Sequence, residues 1–315
     1  VATDEKPLVT LVLLAYNQVE YVREAVAAVL AQDYSPLEII LSDDCSTDDT
    51  YEVMRVAARE YQGPHKVRLN RNPENLHIGG HVSRANQLAR GELLVVAAGD
   101  DISMPHRVST IVRAWLAEKK KPGVIHSLCN VLTPSGEVRA YEPHAHVRFE
   151  SIEAVASNNL QVIGASEAWD REMFGFFGDF RSDLVNEDCA LPFRSLLAGR
   201  PILYIGVPLL LYRQGVGISH AHAGLGPRMD RQQRILFLQR ARAVVLQKLA
   251  DLEKIPRHDL WVLLRKGLNR VDVSIQFEQE SVRPGQWIEA VRAVGLWHVV
   301  RMTLKRFINS VRDRL

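Results

Sequence analysis

Three acidic pairs carry the chemistry this chain of 315 residues could perform: Asp43–Asp44, Asp100–Asp101 and Glu187–Asp188. Asp100 and Asp101 follow an apolar run, and adjacent carboxylates repel each other unless a cation or hydrogen-bond donors compensate. A hard divalent ion fits such a pair, because it binds a few carboxylates and takes its remaining ligands from phosphate and water. A solvated Gly-Asp turn is the plainer reading. Asp43 and Asp44 also end an apolar run, where a carboxylate can accept a hydrogen bond from a base edge. Ser46 and Asp48 just beyond them are equally readable as caps of the next helix. Glu187 and Asp188 open a helical pattern. A carboxylate beside another acid in a cleft has the raised pKa of a general base, yet acids also favour a first helical turn for the macrodipole alone.

The elements that must position these pairs alternate between strand and helix. Val9–Ala15 is a continuous apolar run, as a strand buried on both faces requires. Residues 21–31 follow with Val22, Val26, Val29 and Leu30 on one helical face. Residues 37–41 read as a second strand, a helix is predicted through Arg59, and residues 67–69 form a short third strand. His77, Gly79 and Gly80 read as a turn ahead of a helix over residues 82–88, and residues 92–98 as a fourth strand running into Gly99. Such alternation means crossovers onto a parallel sheet, which binds ligands at the carboxyl ends of its strands. The rule points at Tyr16–Asn17, Asp43–Asp44 and Asp100–Asp101.

Beyond Pro105 the pattern becomes mixed. Residues 124–132 and 137–141 are predicted to pair through a turn at Ser135–Gly136, residues 187–198 form a helix, and residues 202–212 are extended. Trp169, Phe174, Phe176 and Phe177 cluster before Asp179, either as core or as a platform for a sugar face. After Pro227 helical patterns dominate, with Pro256 and Pro284 dividing them into three. The expected organisation is therefore a domain over residues 1–225, with halves meeting near residue 103, and a helical region over residues 226–315.

Hydrophobic residues make up 47% and charged residues 24%, ordinary values for a globular enzyme, and a net charge of +2 gives no reason to expect a nucleic-acid partner. Cys45, Cys129 and Cys189 have neither disulfide-framework nor metal-ligand spacing. His126, His144 and His146 show no metal spacing either. With no membrane-length apolar stretch and no signal-peptide pattern at the start, the expected location is cytoplasmic. Residues 297–315 form an amphipathic pattern with Arg301, Lys305, Arg306, Arg312 and Arg314 as its basic side. It reads equally as a peripheral contact with the inner face of a membrane and as a helix packed on protein.

The order of the motifs decides between these readings. An Ala-Tyr-Asn strand end is followed by Asp-Asp-Cys-Ser-Thr-Asp-Asp-Thr, then Ala-Arg-Gly-Glu, a strand and Gly-Asp-Asp, and far downstream Asn-Glu-Asp-Cys-Ala-Leu-Pro-Phe-Arg and Tyr-Arg-Gln. Over residues 7–212 this resembles family 2 of the inverting glycosyltransferases, whose fold is the α/β GT-A (Rossmann-like, nucleotide-diphospho-sugar transferase) fold. The resemblance implies a sugar moved from a nucleotide-diphospho-sugar, with uridine diphosphate the preferred carrier, to a hydroxyl of a glycan or lipid-linked glycan, as in bacterial polysaccharide or lipopolysaccharide synthesis.

Carried over by position, it places Ala15 and Tyr16 at the base pocket, Asn17 in the nucleotide or donor site, and Asp44, with Asp43 beside it, on the base. Arg84 would lie near the nucleotide, and Gly99 and Asp100 at the ribose or donor sugar. Asp101 would ligate Mg²⁺ or Mn²⁺, Asp188 would be the catalytic base with Glu187 beside it, and Arg213 would approach the diphosphate or the acceptor.

The chain departs from the family at Ala98, where a further Asp is frequent, at Cys45, where Gly is usual, and at Gly215, where His is common. His220 is a candidate replacement ligand for the metal. A catalytically silent nucleotide-sugar-binding subunit that recruits partners through its helical tail is the alternative, opposed by Glu187 and Asp188. A nucleotidyltransferase would carry a Gly-rich basic loop where Ala-Tyr-Asn-Gln-Val-Glu-Tyr stands.

Overall fold

Every residue of β1 (Val9–Ala15) and β2 (Leu37–Asp43) is buried, which explains why their apolar runs are continuous. A computed structural model describes residues 6–141, 151–157, 162–217, 229–279, 284–295 and 299. Along β1, Val9, Leu11, Leu13 and Ala15 enter one apolar cluster, while Val12 and Leu14 enter another on the opposite face. The period-2 alternation of a strand thus feeds two cores.

The first face is covered by α1 (Val22–Leu30), α2 (Thr50–Glu60) and α4 (Arg107–Ala117). The second is covered by α3 (His77–Leu88), α6 (Arg171–Phe177) and α7 (Glu187–Leu197), together with α8 (Arg231–Asp251) and α9 (His258–Gln279). The short α5 (Ile152–Ser157) packs on that side as well. The C-terminal α8 and α9 therefore share a core with the sheet, and α10 (Pro284–Val294) packs onto α9.

The sheet runs β3-β2-β1-β4-β8-β6-β9-β5, with β7 added on β6. Its remaining strands are β3 (Lys66–Arg71), β4 (Leu93–Ala98), β5 (Ile102–Ser103), β6 (Val124–Leu132), β7 (Val138–Ala140), β8 (Ala168–Asp170) and β9 (Ile202–Arg213). The long pairings, β2–β3, β1–β2, β1–β4 and β6–β9, are parallel. The antiparallel pairings extend over only two or three residues each. Register sets Ala15 beside Asp43 and Leu14 beside Ala98, so the carboxyl ends of β1, β2 and β4 open side by side.

Two local expectations are corrected. The helix predicted from residue 82 begins at His77, so His77, Gly79 and Gly80 form its first turn rather than a separate loop. Gly79 is needed there, because a Cβ would collide with the Leu184 carbonyl oxygen. Ser46 and Asp48 do not cap α2 as its N-cap residue, which is Asp49. Ser46 Oγ instead accepts from the Asn17 amide at 2.9 Å, and the Asp48 carboxylate accepts from the amides of Thr50 and Val19. Both side chains join the loop after β1 to the loop after β2.

Candidate active site at the strand ends

The loop after β1 is stitched across to the loop after β2. Asn17 adopts a left-handed φ of 51°, and its Oδ1 accepts from the Thr47 amide at 2.8 Å. Asn tolerates this backbone because its short polar side chain finds a local partner. Cys45 has a φ of 63°, the conformation that favours glycine at that turn. Tyr16 stands at the rim, 43% exposed, available to stack on a planar ligand.

Asp44 is buried beneath this rim. Its amide donates to the Ala15 carbonyl, and its Oδ1 accepts from Asn72 Nδ2 at 2.8 Å and the Leu76 amide at 3.0 Å. Behind Asn72 lies a polar chain, in which Asn70 Nδ2 donates to Asn72 Oδ1 and to Ser42 Oγ. Ser42 Oγ lies 2.7 Å from Nε2 of buried His81, whose pKa burial pushes down to about 4. Asp43 faces the other way, with Oδ2 accepting from the Ser46 amide and paired to Arg71 at 3.4 Å.

Gly99 lets β4 end against β1, since a Cβ there would strike Gln18 and lie 2.9 Å from the Ala15 Cβ. Asp101 follows, buried, and its Oδ1 accepts from the Arg213 amide at 2.8 Å. The Arg213 guanidinium donates from Nε to the Asp100 carbonyl at 2.9 Å and from Nη2 to Glu24 at 2.6 Å. It also lies 4.9 Å from the centre of the Tyr21 ring. Burial raises the pKa of Asp100, and burial together with the charge of Asp100 pushes Asp101 up to about 8. Two adjacent carboxyls held toward neutrality are poised for a hard cation, whose charge would ionise both. Among the described residues no group of three or more His, Cys, Asp and Glu could hold a metal. Asp101, with Asp100, fits an ion that keeps diphosphate oxygens and water as its other ligands.

On the far side of β4, Glu187 and Asp188 form the first turn of α7. Burial pushes Asp188 up to about 7 and Glu187 to about 8, the latter raised further by the charge of Asp188. The segment ahead of β8 wraps this pair. The Val162 amide donates to the Asp188 carbonyl, and a Cβ on Gly164 would come within 3.0 Å of Glu187 Oε1.

Arg107, fully buried, joins the two sides. Its Nη2 donates at 2.7 Å to the carbonyls of both Val96 in β4 and Ala165 in the wrapping segment, and its charge acts on Asp101. Sequence reading missed Arg107, Glu24, Asn72 and Glu167, which follows that segment. Only a bulky charged residue inside an apolar helix face could have drawn attention to Arg107.

Arg84 does not join this constellation. Exposed on the second turn of α3, it lines a separate hollow of about 430 Å³ with Glu74, His77, Gln87, Asp179 and Phe180. Trp169, Phe174 and Phe177 are core, whereas Phe176 is 52% exposed. Cys45, Cys129 and Cys189 form no disulfide. His220, His144, His146 and residues 300–315 lie outside the described residues.

The chain is similar to known proteins in sequence and in fold. A sequence profile described as Glycosyl transferase family 2 matches residues 10–173, more than half of the chain. The chain belongs to glycosyl transferase family 2. The succinoglycan biosynthesis protein ExoO of Rhizobium meliloti is 31% identical to this family member over 111 residues, 35% of the chain and 30% of that protein. The matched stretches span between 30% and 44% of the length of the curated relatives.

The fold is GT-A. Staphylococcus aureus TarS 1–349, solved in complex with UDP-GlcNAc, superposes with a TM-score of 0.58 at 13% identity, over 96% of this chain and 91% of that one. Mannosyltransferase PcManGT from Pyrobaculum calidifontis, solved with GDP-Man and Mn²⁺, gives a TM-score of 0.54 at 18% identity over 96% and 88%. Among the described residues, no helix of this family 2 chain is long and apolar enough to cross a membrane.

Proposed function

We propose that the chain is an inverting glycosyltransferase that moves a sugar from a nucleotide-diphospho-sugar to a hydroxyl of a glycan or glycolipid in bacterial surface-polysaccharide synthesis. The observation that carries this reading is that Arg107 ties β4, which ends in the buried Asp100–Asp101 site, to the segment that packs against Glu187 and Asp188 on α7. Tyr16 stacks on the base, and Asp44 accepts from one of its N–H groups. A carboxylate whose other oxygen already holds two donors suits the single N–H of uracil, and uridine diphosphate is the carrier we assign.

Asp101, with Asp100 beside it, would hold Mg²⁺ or Mn²⁺, which supplies charge compensation for the departing diphosphate. Arg213 holds Asp101 and Asp100 in place through its amide and guanidinium. Asp188 removes the proton of the acceptor hydroxyl as that oxygen attacks the anomeric carbon from the face opposite the leaving group. One displacement inverts the configuration, and no nucleophilic carboxylate is required, unlike in retaining glycosidases. The raised pKa of Asp188 suits proton abstraction near neutral pH.

The experiment is a thermal-shift screen of nucleotide diphosphates and their sugars with Mn²⁺, Mg²⁺ or chelator, followed by NMR of the product formed with the stabilising donor. Ligands that bind only the native state raise its Tm. Metal-dependent stabilisation by a uridine diphosphate sugar and an inverted anomeric centre are expected. Stabilisation without turnover on any acceptor would instead favour a nucleotide-sugar-binding subunit.

A further inference from the structure

Glu167 lies between the 3-10 turn Gly164–Ser166 and β8, with its backbone carbonyl accepting from the Val96 amide of β4. Its side chain is fully buried, and neither carboxyl oxygen has a hydrogen-bond partner. A carboxylate in that position would have lost its hydration with nothing in return, so the group is held as a neutral acid. Its proton then needs an acceptor. Asp188 Oδ1 is likewise buried without a partner. Orphaned polar groups in native structures call for an explanation, and here one orphan is a donor and the other an acceptor.

We propose that Glu167 is a positioning residue for the base: its carboxyl O–H reaches Asp188 Oδ1 through one buried water, leaving the other Asp188 oxygen to take the acceptor's proton. This rests on the reading of Asp188 as the base. Glu167 keeps its own proton throughout, and the acceptor proton ends on Asp188. The surroundings are consistent with this assignment. On α7, Glu187, Asp188 and Cys189 lie close to Glu167, whose pKa is raised first by burial and then by the charges of Asp188 and Glu187. Lys248 on α8 has its ammonium directed to the Val155 carbonyl at 2.7 Å. Arg107 on α4 is directed to the Val96 and Ala165 carbonyls and to Ser103 Oγ. Neither cation is hydrogen-bonded to Glu167.

Glu167→Met and Glu167→Gln separate this role from simple packing. The methionine variant fills the same space without a donor, and kcat is expected to fall ~10- to 100-fold through loss of base alignment. The acidic limb of its pH–rate profile should rise by about one unit, because an ionised Asp188 loses a hydrogen bond that favours it. The glutamine variant keeps a neutral donor and should retain both rate and limb. A Met variant with the wild-type rate and limb overturns the proposal, as does a Gln variant whose limb moves to lower pH, which would mean that Glu167 is normally charged.

Infrared spectroscopy of the native protein at neutral pH decides the case if the Met variant does not fold. A protonated-carboxyl stretch that is absent in Glu167→Gln and displaced in Asp188→Asn supports the pairing. Its absence from the wild type refutes it. Full activity of Asp188→Asn would remove the base assignment itself, whereas an inactive Asp188→Asn beside an unaltered Glu167→Met removes only this inference.

Discussion

Arg194 and Asp251 form a fully buried ion pair that locks α7 to α8. Both Nε and Nη2 of the guanidinium donate to the carboxylate at 2.9–3.1 Å, and Nη1 donates to the Gly178 carbonyl. The guanidinium also lies 4.2 Å from the centre of the Phe180 ring, and Gln247 Nε2 donates to Asp251 Oδ1. The C-terminal helices are thereby tied to the helix whose first turn carries Glu187 and Asp188.

Breaking this pair one partner at a time should be costly. Arg194→Met is expected to destabilise the fold by about 3–5 kcal/mol, because Asp251 is left buried without its partner. Urea unfolding of the single variants and of Arg194→Met with Asp251→Leu checks this, and the double variant should recover a large part of the loss.

Asp188→Asn should lower kcat by about 10²–10⁴-fold while leaving nucleotide affinity nearly unchanged. Wild-type activity should rise as pH increases through the range in which Asp188 ionises, about 7, since the base works only when deprotonated. Steady-state rates across pH, with calorimetric nucleotide titrations of both proteins, test the two halves of this expectation.

Removal of the Asp101 carboxylate should abolish the difference between nucleotide titrations with Mn²⁺ and with chelator. Identical metal dependence in Asp101→Ala and wild type would discard Asp101 as ligand. Arg213→Ala should weaken the same response less, because its amide, which holds Asp101, is retained.

Asn72→Ala removes one of the two donors on Asp44 Oδ1 and frees the carboxylate to turn. Uridine diphosphate affinity should fall roughly 5- to 10-fold, the worth of about one hydrogen bond, and discrimination against guanosine diphosphate should narrow. Competition titrations with the two nucleotides read both effects.

His81 connects this network to acid stability. Its folded-state pKa of about 4 lies below the unfolded value of 6.5, so between those values the unfolded chain binds more protons. Its contribution is full above the unfolded pKa and is lost as pH falls toward the folded one. Chemical denaturation from pH 7 to about 4.5 should show a loss of up to ~3 kcal/mol that is smaller in His81→Gln.

The strand–helix alternation over the first hundred residues was legible because burial on two faces demands unbroken apolar runs such as Val9–Ala15, a local property of the chain. The three strand ends, two of them carrying acidic pairs, followed from the same reasoning, because a parallel sheet must open its loops at one edge. Register confirms that edge, with Ala15 beside Asp43 and Leu14 beside Ala98.

Tertiary structure alone decided what surrounds the pairs. Arg107 reads as one polar position in a helix until folding brings the carbonyls of Val96 and Ala165 to its guanidinium. Glu167 reads as an ordinary acid until α7 and β4 close over it and bury both of its carboxyl oxygens. Arg213 reaches Asp101 across 112 positions of chain, and Arg84 lines a separate hollow with residues from Glu74 to Ser182. Local periodicity records which face of an element is apolar. The partner of a buried charge is set by which distant elements exclude water together, and that is decided only when the whole sheet has assembled.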